Sequence, residues 1–278
     1  MKSILTILLI GGGIYLLLIA AYALKQRSLI YYPTVLELAE AEHRASAWGV
    51  SPWMNDAGDW LGWTMDTSAS TPGPRRRALV FHGNAGMALD RTYYASLLSE
   101  FTASGPWQLY VFEYPGYGPR TGAPGEDTFT AAAADAVDDL LAQDTDPLLI
   151  IGESIGSGVA SAVARDRPDA VAALMLITPF DSLVNTARHH MPFLPIGLLL
   201  RDRYDNLEAL RDFRQPLIVI TAGQDTIVPT ERAEPLLAQH QGRMHHSVQP
   251  NAGHNSLQFD PFSAGWRDVD AFLAENSR

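Results

Sequence analysis

The sequence predicts an α/β fold with a mostly parallel central sheet and helices on both of its faces. Short apolar runs recur along the chain, and stretches with helical spacing separate them. The runs are continuously apolar, as expected for strands that helices cover on both sides. Of the 278 residues, 47% are hydrophobic and 18% are charged, a composition that supplies a core and disfavours disorder.

The first element is an uncharged apolar run over residues 4–24, flanked by Lys2 and by Lys25 and Arg27. A helix of this length measures about 31 Å, close to the hydrocarbon thickness of a bilayer. We therefore predict a single-pass membrane anchor within residues 1–27 and an α/β domain over 28–278. A signal peptide is the alternative, because Ala21-Tyr22-Ala23 fits a small-x-small cleavage site. The flanking charges are balanced and leave the side of the membrane open.

Strands and helices then alternate along the chain. A hairpin is expected first, with strands over 45–50 and 60–65 and the turn Asn55-Asp56-Ala57-Gly58 between them. Further strands are expected over 78–82, 109–113, 148–151, 172–177, 217–221 and 244–248. Helices are expected over 88–104, 128–142 (N-cap Asp127), 155–165, 230–240 and 261–275.

Residues 180–206 interrupt this alternation with an apolar stretch that several prolines break. A connection longer than about 15 residues within a compact domain usually has a function of its own. We interpret the segment as a lid-like insertion that lines an acyl pocket.

The strand over 148–151 runs into Gly152-Glu153-Ser154-Ile155-Gly156 and then into a helix. This is the Gly-x-Ser-x-Gly pattern in its required context, where a sharp turn exposes the serine hydroxyl. Gly152 and Gly156 remove side chains that would clash at such a turn. A phosphate-binding loop is the alternative, which the absence of a following Gly-Lys-Ser/Thr disfavours. The pattern predicts Ser154 as a nucleophile.

A serine hydroxyl needs a base, and the base needs an orienting acid. In this strand arrangement the expected chain order is serine, acid, histidine. Asp225 follows the strand over 217–221, and His254 follows the strand over 244–248. We predict these two as acid and base, with Asp181 as the alternative acid. His82 precedes Ser154 and is interpreted as structural.

The reaction also needs backbone N–H donors for the oxyanion. The residue after the nucleophile, Ile155, supplies one of them. The second is predicted at Asn84, in His82-Gly83-Asn84-Ala85-Gly86, where Gly83 would let the backbone turn.

Composition excludes several other classes of site. The chain has no cysteine, which removes thiolate metal sites and cysteine nucleophiles. The net charge of −11 and a basic run of only three arginines, 75–77, argue against binding to nucleic acid. The pairs His189-His190 and His245-His246 have no third ligand at metal spacing, so neither a metal nor a cofactor is predicted.

Five segments carry a family resemblance: 26–33, 82–86, 113–118, 223–229 and 253–255. They resemble the α/β-hydrolase superfamily of serine hydrolases, in the membrane-anchored branch of the Bem-type proteins and the eukaryotic protein depalmitoylases. Glu113 and Pro115 depart from the Asp-Tyr-Arg-Gly-Tyr-Gly pattern of that branch, but neither is a predicted catalytic residue. The resemblance implies the α/β-hydrolase fold and a retained anchor.

Together these features predict a serine hydrolase that cleaves an ester, a thioester or an amide through an acyl-enzyme intermediate. The apolar insertion and the tether point to a lipid-like or acylated small-molecule substrate. A peptidase or amidase of the same fold and a non-catalytic, membrane-tethered binding module are the alternatives.

Overall fold

A central eight-stranded sheet organises the structure, a computed structural model that describes residues 2–67 and 75–276. The strands are β1 (Tyr32–Pro33), β2 (Ser51–Met54), β3 (Trp60–Asp66), β4 (Arg76–Phe81), β5 (Ala85–Gly86), β6 (Trp107–Phe112), β7 (Leu148–Glu153), β8 (Val171–Ile177), β9 (Leu217–Ala222) and β10 (Met244–Gln249). The helices are α1 (Lys2–Ile30), α2 (Leu38–Ser46), α3 (Tyr93–Ser99), α4 (Glu126–Gln143), α5 (Gly156–Asp166), α6 (Leu183–His190), α7 (Ile196–Leu199), α8 (Asn206–Ala209), α9 (Glu234–Gln239) and α10 (Ala264–Glu275).

The large sheet has the strand order β10-β9-β8-β7-β4-β6-β3-β2. The strands from β10 to β6 are parallel, and β3 and β2 extend the sheet as antiparallel strands. β1 and β5 form a separate parallel pair. The predicted mostly parallel sheet is confirmed. A hairpin lies at its antiparallel end as predicted, but its first strand is β2 and not residues 45–50.

Helices cover both faces of the sheet. Leu79 and Phe81 of β4 lie in one buried cluster, together with residues of α4 and α5. Ala78 and Val80 of the same strand lie in a second cluster, which includes residues of α3 and α10. Successive side chains of a strand point to opposite faces, so β4 contributes to both clusters. This arrangement buries the strands on both sides, as their continuous apolar composition predicts.

The strand predicted over 45–50 is wrong. Residues up to Ser46 belong to α2, and β2 begins only at Ser51. Ala41 and Ala45, four residues apart, bury the inner face of that helix. Helical packing therefore overrides the local composition of this segment.

The helix predicted over 88–104 is shorter than expected. A 3₁₀ turn over Ala88–Arg91 precedes α3, which ends at Ser99. The next residues turn away because the N–H groups of Ala103 and Ser104 donate to the carboxylate of Asp270 in α10. Tertiary hydrogen bonds thus replace the last helical turn.

The N-cap of α4 is Gly125 instead of Asp127.

The lid-like insertion, residues 180–206, contains α6 and α7. Its residues Val184, Ile196 and Leu200 pack with Tyr22 of α1 in a small buried cluster. The insertion therefore lies against the C-terminal part of α1. α1 itself is long and apolar enough to cross a membrane, by length and composition.

Two arginines of the basic run over residues 75–77 bind other parts of the fold. Arg75 pairs with Asp66, and the largely buried Arg77 donates to the carbonyl groups of Leu140 and Asp144. Arg77 thereby satisfies carbonyl groups at the C-terminal end of α4, where a helix leaves its last carbonyls without partners.

Arg77→Met should lower the free energy of unfolding by about 2–3 kcal/mol, because it removes the charged hydrogen bonds from a largely buried guanidinium to the carbonyl groups of Leu140 and Asp144. Chemical denaturation in detergent micelles measures this change. The control is Arg165→Met, which removes an exposed ion pair with Asp166 and should cost at most about 0.5 kcal/mol. Equal losses in the two variants would contradict the assignment of Arg77 as a helix cap.

Candidate active site

The predicted nucleophile lies on a strained turn between β7 and α5. Ser154 has a φ of +54°, in the left-handed region that costs a non-glycine residue about 1–2 kcal/mol. Its N–H donates to the carbonyl oxygen of Ile177 at 2.8 Å, which ties the turn to β8. Strain of this kind persists where the surrounding structure fixes it, and such positions cluster at functional sites.

Close backbone contacts explain the two glycines of the turn. A Cβ atom at Gly156 would lie 2.1 Å from the carbonyl oxygen of Phe81. A Cβ atom at Gly152 would lie 2.6 Å from the carbonyl oxygen of Gly156. Both distances are far below van der Waals contact, so only glycine fits at either position.

The backbone conformation at Gly83 differs from the predicted one. This glycine was expected to let the backbone turn, but the left-handed conformation falls at Gly86, with a φ of +88°, and not at Gly83. A Cβ atom at Gly83 would lie 3.3 Å from Oε1 of Glu153. A side chain at Gly83 would thus crowd the Glu153 carboxylate.

Ser154, His254 and Asp225 form one chain of hydrogen bonds. Nε2 of His254 lies 2.9 Å from Oγ of Ser154, and Nδ1 lies 2.7 Å from Oδ2 of Asp225. A carboxylate only accepts, so Nδ1 carries a proton, and Nε2 of the neutral ring is free to accept one from the hydroxyl group. The other carboxylate oxygen, Oδ1, accepts the N–H groups of Ile227 and Val228 at 2.9 and 2.8 Å. These bonds fix the carboxylate.

The strand order explains why residues so far apart in sequence meet. Each of the three follows a parallel strand, β7, β9 or β10, and the carboxyl ends of parallel strands lie at one edge of the sheet. The loops after β9 and β10 also bind each other, since the N–H of Gln224 donates to the carbonyl of Ala252 at 2.8 Å. The acid and the histidine are therefore positioned as a unit.

The predicted oxyanion donors, Asn84 and Ile155, line the same cavity as Ser154. Within the residues that the structure describes, neither backbone N–H donates to another protein group. The side chain of Asn84 donates to the carbonyl of Ile30 at 2.8 Å, and its own carbonyl accepts the N–H of Tyr32 at 2.9 Å. The end of α1 and the residues after it thus hold the loop of Asn84 in place.

A buried histidine–glutamate pair supports this loop. Nδ1 of His82 lies 2.8 Å from the carbonyl of Gly83, and Nε2 lies 3.2 Å from Oε1 of Glu113. The N–H of Ala88 also donates to the Glu113 carboxyl group. Burial raises the pKa of Glu113, and its bonds with His82 and Ala88 oppose that rise. Both ring nitrogens of His82 are occupied, in agreement with a structural role.

The alternative acid, Asp181, is engaged elsewhere. Its Oδ1 accepts the N–H of Ser182, and its Oδ2 accepts the side-chain amide of Asn185, both at 2.8 Å. Asp181 therefore fixes the start of the lid-like insertion. The carboxylate that contacts His254 is that of Asp225.

Glu153, the residue before Ser154, binds two side chains that the sequence did not predict as its partners. Its carboxylate accepts the hydroxyl of Tyr93 at 2.8 Å, and it pairs with the guanidinium of Arg91 at 3.1 Å. Burial raises the pKa of Tyr93, which keeps this hydroxyl group protonated as a donor. These bonds hold the residue before Ser154 in place. The sequence interpretation missed Arg91 and Tyr93 because no sequence spacing links them to Glu153.

A cavity of about 220 Å³ reaches Ser154, and its lining is mostly apolar. α1 and the lid-like insertion both contribute to its wall, which includes Tyr22, Leu29, Ile30, Phe180, Met191 and Leu200. A larger depression of about 610 Å³ lies beside β10 and α10 and contains none of the three hydrogen-bonded residues. Of these two cavities, the smaller and mostly apolar one is therefore the cavity that contains the hydroxyl group of Ser154.

Comparison with protein families gives a match over residues 79–203 to a model described as the alpha/beta hydrolase fold. The chain is similar to the uncharacterized protein Rv2307c of Mycobacterium tuberculosis, with 36% identity over 235 residues. That alignment covers 83% of this chain and 81% of the relative. The chain is also similar to protein bem46 of Schizosaccharomyces pombe, with 26% identity over 75% of this chain and 70% of that protein.

A solved structure has the same fold at low sequence identity. The Pyrococcus furiosus esterase Pf2001 superposes with a TM-score of 0.62 and 17% identity, over 88% of this chain and 97% of the esterase.

Glu113→Gln should change how stability depends on pH. Because burial raises the pKa of Glu113, the folded protein holds this proton more tightly than the unfolded chain does. Proton binding by Glu113 therefore contributes to the free energy of unfolding. This contribution is complete at pH values below the pKa of the carboxyl group in the unfolded chain, about 4.3. It is lost as the pH rises through the pKa of Glu113 in the folded protein. Relative to Glu113→Gln, the wild-type protein should therefore lose stability as the pH rises. Denaturation midpoints between about pH 4 and about pH 8 measure this difference.

The matched control is Glu100→Gln, at an exposed position. It should leave the pH dependence of stability as it is in the wild type. A Glu113→Gln profile parallel to that of the wild type would contradict the role of burial at Glu113.

Proposed function

Because the chain belongs to the α/β-hydrolase family, as a Bem46-like protein, we propose that it is a serine hydrolase. The proposed reaction is cleavage of an ester or thioester through an acyl-enzyme intermediate. The observation that carries this proposal is the hydrogen-bonded chain Ser154–His254–Asp225 at a strained turn.

In the first half-reaction, Oγ of Ser154 attacks the carbonyl carbon of the substrate while Nε2 of His254 takes the hydroxyl proton. The carbonyl oxygen becomes an oxyanion, which the N–H groups of Asn84 and Ile155 stabilise. A donor of this kind is worth about 10²–10³ in rate. The tetrahedral intermediate then collapses, and His254 gives its proton to the departing alkoxide or thiolate.

In the second half-reaction, a water molecule attacks the acyl group on Ser154, and His254 takes a proton from it. The bond from Ser154 to the acyl carbon breaks, and the proton returns to the serine oxygen. Asp225 contributes by holding Nδ1 protonated and by stabilising the imidazolium that forms in each half.

The cavity supports an acyl substrate. Its wall is mostly apolar, and part of it is contributed by α1, which we propose to be a retained membrane anchor. A lipid-like or acylated small molecule satisfies both features. The apolar wall favours an acyl ester or thioester over a peptide, whose polar backbone would need hydrogen-bond partners on binding.

Ser154→Ala should lower the turnover of short p-nitrophenyl esters by about 10⁴-fold or more, because it removes the nucleophile. It should also abolish labelling by a fluorophosphonate probe, which reacts only with an activated serine. Ester turnover and labelling are measured on the full-length protein in detergent.

The control is Ser161→Ala, in the middle of α5. Within the described residues, the Ser161 hydroxyl group has no hydrogen-bond partner, so its removal should leave stability, labelling and turnover close to the wild type. Labelling of the Ser154→Ala variant at the wild-type level would refute the assignment of the nucleophile.

A further inference from the structure

The lid-like insertion contacts α1 at a point well inside the apolar run. The hydroxyl of Tyr15 donates to the carbonyl of Phe193 at 2.8 Å. Tyr15 lies ten residues before Lys25, which corresponds to about 15 Å along a helix. If α1 spans a bilayer with Lys25 at its surface, Phe193 lies among the acyl chains.

Further contacts near the C-terminal end of α1 fix this arrangement. The side chain of Gln26 donates to the carbonyl of Leu199 at 3.2 Å and accepts the N–H of Arg201 at 2.7 Å. Tyr22 is buried against the insertion between these polar contacts and Tyr15. The insertion therefore follows α1 for about three helical turns.

Residues 191–200, which we call the lid tip, have the composition of a membrane-inserted segment. They carry no charge, and two of their apolar side chains are exposed, Phe193 by 64% and Leu198 by 90%. An apolar segment of this length is too short to span a bilayer but suits an interfacial or re-entrant element. Exposed large apolar side chains that are clustered in this way mark an interaction surface.

Basic residues surround the base of the lid tip, in a chain whose net charge is −11. Arg188 precedes the tip, Arg201 and Arg203 follow it, and Lys25 and Arg27 lie at the adjoining end of α1. Two acidic residues also lie here: Asp202 pairs with Arg27 at 3.2 Å, and the Glu126 carboxylate accepts the backbone N–H of Arg203. Long basic side chains beside an apolar segment place their charges at the headgroups of anionic lipids.

Protein side chains bind part of the irregular backbone of the lid tip. Its carbonyl groups at Phe193, Gly197 and Leu199 accept from the side chains of Tyr15, Arg203 and Gln26. Pro192 and Pro195 have no N–H to satisfy. Bonds of this kind lower the cost of placing irregular backbone near the hydrocarbon region of a bilayer.

We propose that the lid tip enters the same bilayer as α1 and that the cavity between them draws its acyl chain directly from the membrane. Leu29 and Ile30 of α1, Met191 and Leu200 of the lid tip, and Ser154 all line this cavity. The substrate is then a long-chain acyl ester or thioester that resides in the bilayer. This second part rests on the proposed function, and insertion of the lid tip does not.

The first experiment measures insertion alone. Because the chain has no cysteine, Phe193→Cys introduces a single site for an environment-sensitive NBD label. The matched control is Phe262→Cys, since Phe262 has the same exposed fraction, 64%, and lies just before α10. The full-length protein is reconstituted into vesicles of phosphatidylcholine and phosphatidylglycerol that carry doxyl groups on their acyl chains. The label at 193 should be quenched and the label at 262 should not; equal quenching at the two positions would overturn the proposal.

The second experiment measures delivery of the substrate. Turnover of a long-chain ester in the vesicles is divided by turnover of a water-soluble butyrate ester. Leu198→Asp should lower this ratio about tenfold or more, because a carboxylate at an exposed tip position opposes insertion. Phe262→Asp should leave the ratio unchanged. An unchanged ratio in Leu198→Asp would overturn the proposed delivery from the membrane, whereas a wild-type protein inactive on both esters would overturn the proposed function.

Discussion

The close approach of α5 to β4 is the constraint on which the candidate site depends. The carbonyl oxygen of Phe81 comes so near to Gly156 that no side chain fits there, and the strained turn at Ser154 lies directly before this contact. The turn brings the hydroxyl group of Ser154 and the backbone of Ile155 to one cavity. The other groups of the site, His254, Asp225 and the loop of Asn84, are arranged around that fixed point.

The end of α1, a helix long and apolar enough to cross a membrane, is also part of the candidate site. The carbonyl of Ile30 accepts the side chain of Asn84, and β1, which starts two residues later, pairs with β5 after the same loop. Tyr22 and Leu29 contribute to the wall of the cavity. Cleavage after Ala23 would remove Tyr22 from that wall, which is a physical reason to propose that the anchor is retained. The position of α1 and the geometry of the loop of Asn84 are thus coupled through a few hydrogen bonds.

The sequence was sufficient to predict the sheet and to predict that Ser154, Asp225 and His254 lie at one edge of it. Strand ends can be located from apolar runs, and the carboxyl ends of parallel strands share one edge. It was not sufficient for contacts that depend on how distant loops pack. The bond from Asn84 to Ile30, the partners of Glu153 and the contact of Tyr15 with Phe193 have no local signature. The misplaced strand over 45–50 has the same origin, since the burial of Ala41 and Ala45 on one face of α2 decided it.

The structure of a covalent phosphonate adduct tests the central claim most directly, because it reports the nucleophile and the oxyanion donors in one measurement. The account predicts a bond from phosphorus to Oγ of Ser154, with the phosphoryl oxygen within hydrogen-bond distance of the N–H groups of Asn84 and Ile155. It also predicts that Nε2 of His254 faces the leaving-group position. An adduct on another residue, or a phosphoryl oxygen that faces away from both N–H groups, would contradict the account.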